Sequence, residues 1–341
     1  MLPEHIEGAV LITKATNQRY FHHLTMAQGA IYLSAGHRVF FSWGRSISSK
    51  LPGDPEIREI REEELGREVA ALLREESKEY LMVEKELPIQ IYQLLLGAGI
   101  QNIRIGEGFV EQWRETKTPW EIEQLSEACR ITEFAFDKIL EVIKPGMTEL
   151  EVAAKLEYWM RLQGCEEFNK TIVASGIHSA KPHHWPTNKP LEKGDFVTMD
   201  YGCTVNGYHS DMTRTIILGR ATDRQKLLYE TVRVAQEKAR EVLREGRSSG
   251  EMDGVARRII DESEFRGCFL HNLGHGIGLD IHEGTGLVQG SKAILTEGMV
   301  VSIEPGIYVE GYGGVRIEDI AVVEKSGCSV LENAPRELIE V

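Results

Sequence analysis

Cysteine is scarce and unpatterned: Cys129, Cys165, Cys203, Cys268 and Cys328 are the five in 341 residues, and no CxxC spacing occurs. An odd, scattered set excludes a disulfide framework and a thiolate zinc cage, and reads as reduced thiols, mostly of the core. Long apolar runs are also missing. Nowhere do about eighteen uncharged apolar residues follow one another, so no membrane-spanning helix is expected. There is no excess of basic charge either. Lys and Arg number 39 against 53 Asp and Glu, a formal charge of −14. That is the wrong sign for neutralising phosphates, so neither nucleic acid nor an acidic membrane is an expected partner. The start, MLPEHIEGAVLIT, has no basic stretch leading into an apolar signal core, and the expected location is the cytoplasm.

What the chain does have is enough length for two domains. In the first hundred residues AVLIT (9–13), AIYLS (30–34), RVFFSW (38–43), YLMVE (80–84) and NIRI (102–105) read as strands, and Ala35-Gly36 joins two of them as a hairpin. Apolar residues recur at helical spacing over 56–77, and the charge run at 56–68 is read as the solvated face of that helix. A second helix over 87–99 stops on Gly97 and Gly99. This alternation predicts a small α/β domain over 1–112.

A second domain is expected over 113–341. Thr118-Pro119-Trp120-Glu121 supplies an N-cap, a proline at the first helical position and an acid at the third. That helix stops by Pro145-Gly146, and Thr148 with Glu151 caps the next. Strand-like 171–175 and 195–202 follow. Thr222 with Gln225 then opens another helical pair, which leads to 269–279 and 298–309. Gly146 with Glu151 has a counterpart in Gly246 with Glu251, a periodicity that predicts two related halves facing a central site.

The chemistry sits around HNLGHGIGLDIHE (271–283). Asp200 and Asp211 lie on strand-like segments joined by a turn containing Gly207, so a hairpin can bring both carboxylates to one centre. Glu304 follows the apolar strand MVVSI, and Glu318 follows GGVRI. Buried strand ends are costly places for carboxylates unless a cation compensates them. His275 lies among three glycines that let backbone and metal approach closely. Four carboxylates and one imidazole suit two hard or borderline divalent ions, Mn²⁺, Co²⁺, Fe²⁺ or Zn²⁺.

With DYG followed eleven positions on by the second Asp, SDMTRT (210–215), HxxGHGIGLDIHE, SIEPGIY (302–308) and GVRIED (314–319), the chain resembles the pita-bread metallopeptidases, in the branch of Xaa-Pro dipeptidases (prolidases) and Xaa-Pro aminopeptidases. The resemblance implies an α+β architecture, a pita-bread domain with pseudo-twofold halves after a smaller α/β domain. It implies metal ligation by Asp200, Asp211, His275, Glu304 and Glu318, with Asp211 and Glu318 bridging two ions, Mn²⁺ or Co²⁺ before Zn²⁺ or Fe²⁺. Catalytic roles would fall to His183 near the scissile bond, His282 near the substrate carbonyl and Glu304 as proton relay. His271, Tyr308 and Arg316 would shape the proline side, with Thr213 supporting the ligands. A homodimer is expected.

The activity so implied is hydrolysis of the bond between an N-terminal residue and proline in short peptides. The amide there has no N–H and carries a ring that blocks many clefts. Xaa-Pro aminopeptidase action on longer peptides is the alternative. A creatinase-like hydrolase of non-peptide C–N bonds and a catalytically silent binding module are the other readings, and the complete ligand set counts against both. The chain departs from the family at SWGRSIS (42–48), where an Asp-x-Arg-Tyr element is usual, and at HWPTN after His183, usually a glycine-containing loop.

Overall fold

Residues 8–21, 28–44 and 55–341 are described by the computed structural model, and the chain divides into two units, Met1–Arg114 and Glu115–Val341. Residues 1–7 and positions 45–48 of the departing SWGRSIS stretch lie outside the described residues.

In the first unit β1 (Ala9–Ile12), α1 (Ala15–Phe21), β2 (Gly29–Leu33), β3 (Arg38–Ser42), β4 (Glu56–Glu59), α2 (Leu65–Glu75), β5 (Leu81–Glu84), α3 (Ile89–Gly97), β6 (Ile103–Gly106) and α4 (Phe109–Glu115) follow in order. The strands form one six-stranded sheet, β4-β3-β2-β1-β5-β6. Because side chains alternate along a strand, β1 to β3 feed two cores. Leu11, Tyr32 and Phe41 pack with Val69, Leu73 and Leu95 of α2 and α3. Val10, Ile31 and Phe40 point the other way, onto Phe21 and Val110. All five expected strands are present, and the hairpin at Ala35-Gly36 closes with Ser34 N–H donating to His37 O, 2.9 Å. The single helix expected over 56–77 is not. Glu56–Glu59 pairs parallel with β3, and α2 begins only at Leu65. The exposed edge of β3 offers unpaired backbone groups that a strand satisfies and a helix would not, and the buried helical stripe runs only from Leu65 through Val69 to Leu73.

The second unit contains α5 (Pro119–Leu140), α6 (Glu149–Leu162), β7 (Ile172–Ser175), β8 (Phe196–Tyr201), β9 (Thr204–Val205), β10 (Tyr208–His209), β11 (Met212–Ile217), α7 (Asp223–Val242), α8 (Ser249–Asp261), β12 (Val300–Ile303), β13 (Gly306–Val309), β14 (Gly313–Arg316), β15 (Asp319–Val323) and β16 (Cys328–Val330). Each of its four helices starts on a capping box: Thr118 with Glu121, Thr148 with Glu151, Thr222 with Gln225, Ser248 with Glu251. In each, the cap hydroxyl accepts from an otherwise orphan N–H, and the acid or amide reaches back to the cap N–H.

The unit is a pita bread of two related halves. One packs α5 and α6 on the sheet β11-β8-β7, with Phe136, Leu156, Val173 and Met199 in its core. The other packs α7 and α8 on β12-β15-β16, around Val232, Met252, Val301 and Ala321. The repeat read from Gly146 and Gly246 is repeated in the hydrogen bonds. Both glycines have positive φ, 90° and 82°. Gly146 N–H donates to Leu191 O and Gly246 N–H to Leu295 O, at 2.8 and 2.9 Å. Leu191 N–H donates to Met147 O, as Leu295 N–H does to Arg247 O. The segment 271–283 differs from a strand: it is irregular, with isolated bridges of Gly274 to Leu287 and Gly276 to Val301, and it is bonded to β12 by Ser302 N–H to His275 O (2.8 Å) and Ile277 N–H to Val300 O (3.1 Å). Among the described residues no helix is long and apolar enough to cross a membrane, and the five cysteines are unpaired.

Candidate active site

The first half brings up two carboxylates. β8 and β11 run antiparallel with Asp200 opposite Thr213, and Asp211 stands just before β11. Between them lies a small hairpin, β9–β10, whose turn needs left-handed backbone at both central positions. Asn206 has φ 49° and Gly207 φ 80°, residue types that tolerate it. The Gly207 turn therefore closes this inner hairpin, while Asp200 lies in the outer strand β8 and Asp211 immediately before β11.

The second half supplies the remaining groups. Side chains at Gly274 and Gly276 are excluded because a Cβ at either would strike backbone, the Ser302 or the Glu283 carbonyl. That close approach lets His275 N–H reach Ser302 Oγ (3.0 Å). His275 Nδ1 lies 3.1 Å from Gly276 O, so the proton sits on Nδ1 and the Nε2 lone pair is free. Nε2 faces Asp211 Oδ2 at 3.6 Å, Glu304 Oε1 at 3.5 Å and Glu318 Oε1 at 4.0 Å. Burial, then His282, lowers the His275 pKa to about 4, which keeps the imidazole neutral, the form a metal ligand requires.

Electrostatics expose a deficit of positive charge. Burial, then Asp200 and Glu304, raises Asp211 well above the usual carboxylate range. Burial and Asp211 do the same to Glu318. Burial lifts Glu304 to about 8. Glu318 Oε1 is buried without a hydrogen-bond partner, a costly condition for an ionised oxygen. Asp211, His275 and Glu318 each offer a ligand atom, all within 4.8 Å of one another. An orphaned oxygen, mutually repelling acids and an oxygen-rich donor set with one imidazole fit divalent cations. Asp200 differs from its expected part in one respect: Arg316 Nη2 donates to its Oδ2 at 2.6 Å, so one oxygen already has a partner.

The cavity around these groups measures about 640 Å³, and His183, His271, His282 and Arg316 line it with the four acids. The His282 ring stacks on His275, centroids 3.9 Å apart. Tyr308 stands behind the wall. Arg316 Nη1 donates to Tyr308 Oη (2.7 Å), Oη lies 2.8 Å from His271 Nε2, and His271 Nδ1 lies 2.8 Å from Asn272 O. Burial, then Arg316, lowers the His271 pKa to about 4, so the ring is neutral and its Nε2 accepts a hydrogen bond from Tyr308 Oη–H. Thr213 Oγ donates to Glu318 Oε2 (2.6 Å) and accepts from Arg316 Nε (3.0 Å). All of the sequence-derived site residues thus meet at one cavity or touch a residue that lines it. Arg316 is engaged with Asp200, while Asp319 is neutralised by Arg214 and Arg336.

Sequence reasoning missed several supports. Ser302 also donates to Glu304 Oε1 (3.2 Å); its place two residues before Glu304 on one strand face was a usable signal. Lys117 Nζ and Glu283 Oε1 form a buried pair at 2.9 Å next to His282, and nothing local in the sequence links positions so far apart. Arg214, fully buried, donates to Thr213 O and Glu318 O and so ties the two halves at the ligands.

Residues 123–325 match the model of metallopeptidase family M24. The Xaa-Pro dipeptidase of Pyrococcus furiosus is 44% identical over 244 residues, 71% of this chain and 70% of that one. Among solved structures, the Xaa-Pro dipeptidase from Bacillus anthracis superposes with a TM-score of 0.91 at 37% identity, covering 98% of this chain and 95% of that one. The X-Pro aminopeptidase from Thermotoga maritima superposes with the same TM-score at 34% identity, covering 98% and 97%. With the motifs, the two-half fold and the acid-and-imidazole cluster, these likenesses establish that the chain belongs to metallopeptidase family M24.

Proposed function

We propose that this metallopeptidase is an Xaa-Pro dipeptidase, cleaving the bond between an N-terminal residue and proline, with manganese or cobalt as its metal. The carrying observation is the single cavity in which Asp211, His275 and Glu318 converge beside the Arg316–Tyr308–His271 chain. Asp200, Asp211, His275, Glu304 and Glu318 would hold two divalent ions. Such ions supply Lewis acidity toward the scissile carbonyl and a nucleophilic water at neutral pH.

The chain's own side chains do the rest. Glu304, just after β12 on the cavity wall, takes the proton of the attacking water and passes it on. His282 stands on the cavity wall to donate to the carbonyl oxygen as it becomes an oxyanion. His183 hands a proton to the departing imino nitrogen, which lacks an N–H of its own in the substrate. The His271–Tyr308–Arg316 chain forms a fixed, neutral-to-cationic wall for the proline ring and its carboxylate, while Thr213 holds Glu318 in register. The proposed setting is the cytoplasm and the proposed state a homodimer, which sedimentation would test.

The decisive experiment loads the protein separately with Mn²⁺, Co²⁺ and Zn²⁺ and compares cleavage of Xaa-Pro, Xaa-Pro-Yaa and Xaa-Ala. Cleavage of Xaa-Pro alone is the expected result. Equal turnover of Xaa-Pro-Yaa would make it an aminopeptidase, and equal turnover of Xaa-Ala would overturn the proline requirement.

A further inference from the structure

Outside the ligand set one carboxylate is bonded to saturation. Glu149, in the first turn of α6 and fully buried, accepts on Oε1 from Ser175 N–H and Oγ–H (both 2.8 Å) and from His178 Nδ1 (3.0 Å). On Oε2 it accepts from Thr187 N–H (3.0 Å) and Oγ–H (2.7 Å) and from His184 Nε2 (3.0 Å). Burial alone would raise its pKa, but the hydrogen bonds from Thr187, His184 and Ser175 outweigh it and hold the carboxyl at about 2. An ionised carboxylate only accepts, so His178 Nδ1 and His184 Nε2 both carry protons. The three ligand-type groups lie within 4.8 Å of one another, yet a carboxylate offers about four lone-pair sites, and all of them are taken. The cluster is closed to a cation.

Its partners instead bracket the segment 175–187, one wall of the cavity. Ser175 ends β7, Thr187 closes the segment, and the His178 and His184 rings stack between them, 4.3 Å apart. His184 is buried against Glu149, and its neighbour His183 lines the cavity. In the other half the corresponding position is Ser249, whose hydroxyl donates to Gly286 O (2.6 Å) and accepts from Val288 N–H (2.7 Å). The duplicated backbone therefore does not itself require a carboxylate. The charge belongs to the half that carries His183.

We propose that Glu149 is a positioning residue that fixes His183 against the reacting bond by clamping the 175–187 segment at both ends and at His184. This rests on the reading of His183 as the proton donor to the leaving nitrogen.

The test is a double-mutant cycle on the full-length, Mn²⁺-loaded protein cleaving an Xaa-Pro dipeptide: His183→Ala, Glu149→Gln and the pair. Glu149→Gln should lower kcat by about 10- to 100-fold, since small misplacements near the chemistry cost that much, with KM and bound metal unchanged. The pair should lose no more than His183→Ala alone, the signature of one residue acting through the other. Losses that multiply, or an unchanged kcat in Glu149→Gln, would overturn the clamp. So would a further Zn²⁺ bound per chain and lost in His178→Ala. If Glu149→Gln fails to fold, His184→Asn carries the same cycle. Full kcat in His183→Ala would remove the proton-donor reading itself, a result separate from any in the Glu149 arm, and the clamp would fall with it.

Discussion

The two halves of the second unit share a backbone plan and divide the chemistry unequally. Around Gly146 and around Gly246 the same hydrogen bonds recur, down to Glu149 N–H donating to Lys189 O (3.2 Å) and Ser249 N–H to Ala293 O (2.8 Å). Yet the first half gives Asp200, Asp211 and the clamped His183, while the second gives His275, His282, Glu304, Glu318 and the Arg316–Tyr308–His271 chain. Repetition supplied two facing surfaces, and different side chains were placed on equivalent frames. The cavity is complete only where both meet, with Arg214 of β11 bonded to the Glu318 carbonyl across the seam (2.6 Å).

That division can be broken most severely at the acids. Asp211→Asn on one half and Glu318→Gln on the other should each remove bound metal and lower kcat by at least about 10³-fold while the fold persists, because either loss leaves the shared centre incomplete. Metal analysis with turnover of an Xaa-Pro dipeptide checks it. Normal turnover in metal-free Asp211→Asn would refute the shared centre. A smaller effect is expected from Ser249→Ala, the counterpart of Glu149→Gln. Losing its hydroxyl hydrogen bonds should cost about 1–2 kcal/mol of stability, read as a lowered Tm, without the kcat loss expected at Glu149. Equal kcat losses at the two positions would erase the contrast between the halves. The smallest effect is on acid stability. The Glu149 pKa lies at about 2 against an ordinary 4.5. Its stabilisation is therefore present above about pH 4.5 and is lost as pH falls toward 2. Glu149→Gln should flatten that part of the acid unfolding curve, and Ser249→Ala should only displace it.

Much of this was legible from short stretches of sequence. Capping boxes are local, so Thr118, Thr148 and Thr222 marked helix starts directly. Gly146 and Gly246 announced the repeat because positive φ favours glycine. The ligands stood out since Asp200, Asp211, Glu304 and Glu318 are acids in or beside apolar strands. β4 was misread because EIREI satisfies helical spacing as well as a strand does, and only the open edge of β3 decides between them. Glu149 was invisible for a related reason: as the residue after an N-cap it reads as an ordinary first-turn acid, and its six donors come from residues 175–187.

By itself the sequence determined the capped helices of the second unit, most of the strand alternation, the duplicated plan and the kinds of ligand present, because each depends on neighbours within a turn or a few residues. The tertiary structure alone decided which charges answer which. Arg316 pairs with Asp200 rather than with the adjoining Asp319, and Arg214 takes Asp319 instead. Glu149 pairs with His184 and leaves His183 to the cavity. Burial makes these choices: an ionised group removed from water must find its partners in space, and strand and loop packing sets which ones come within reach.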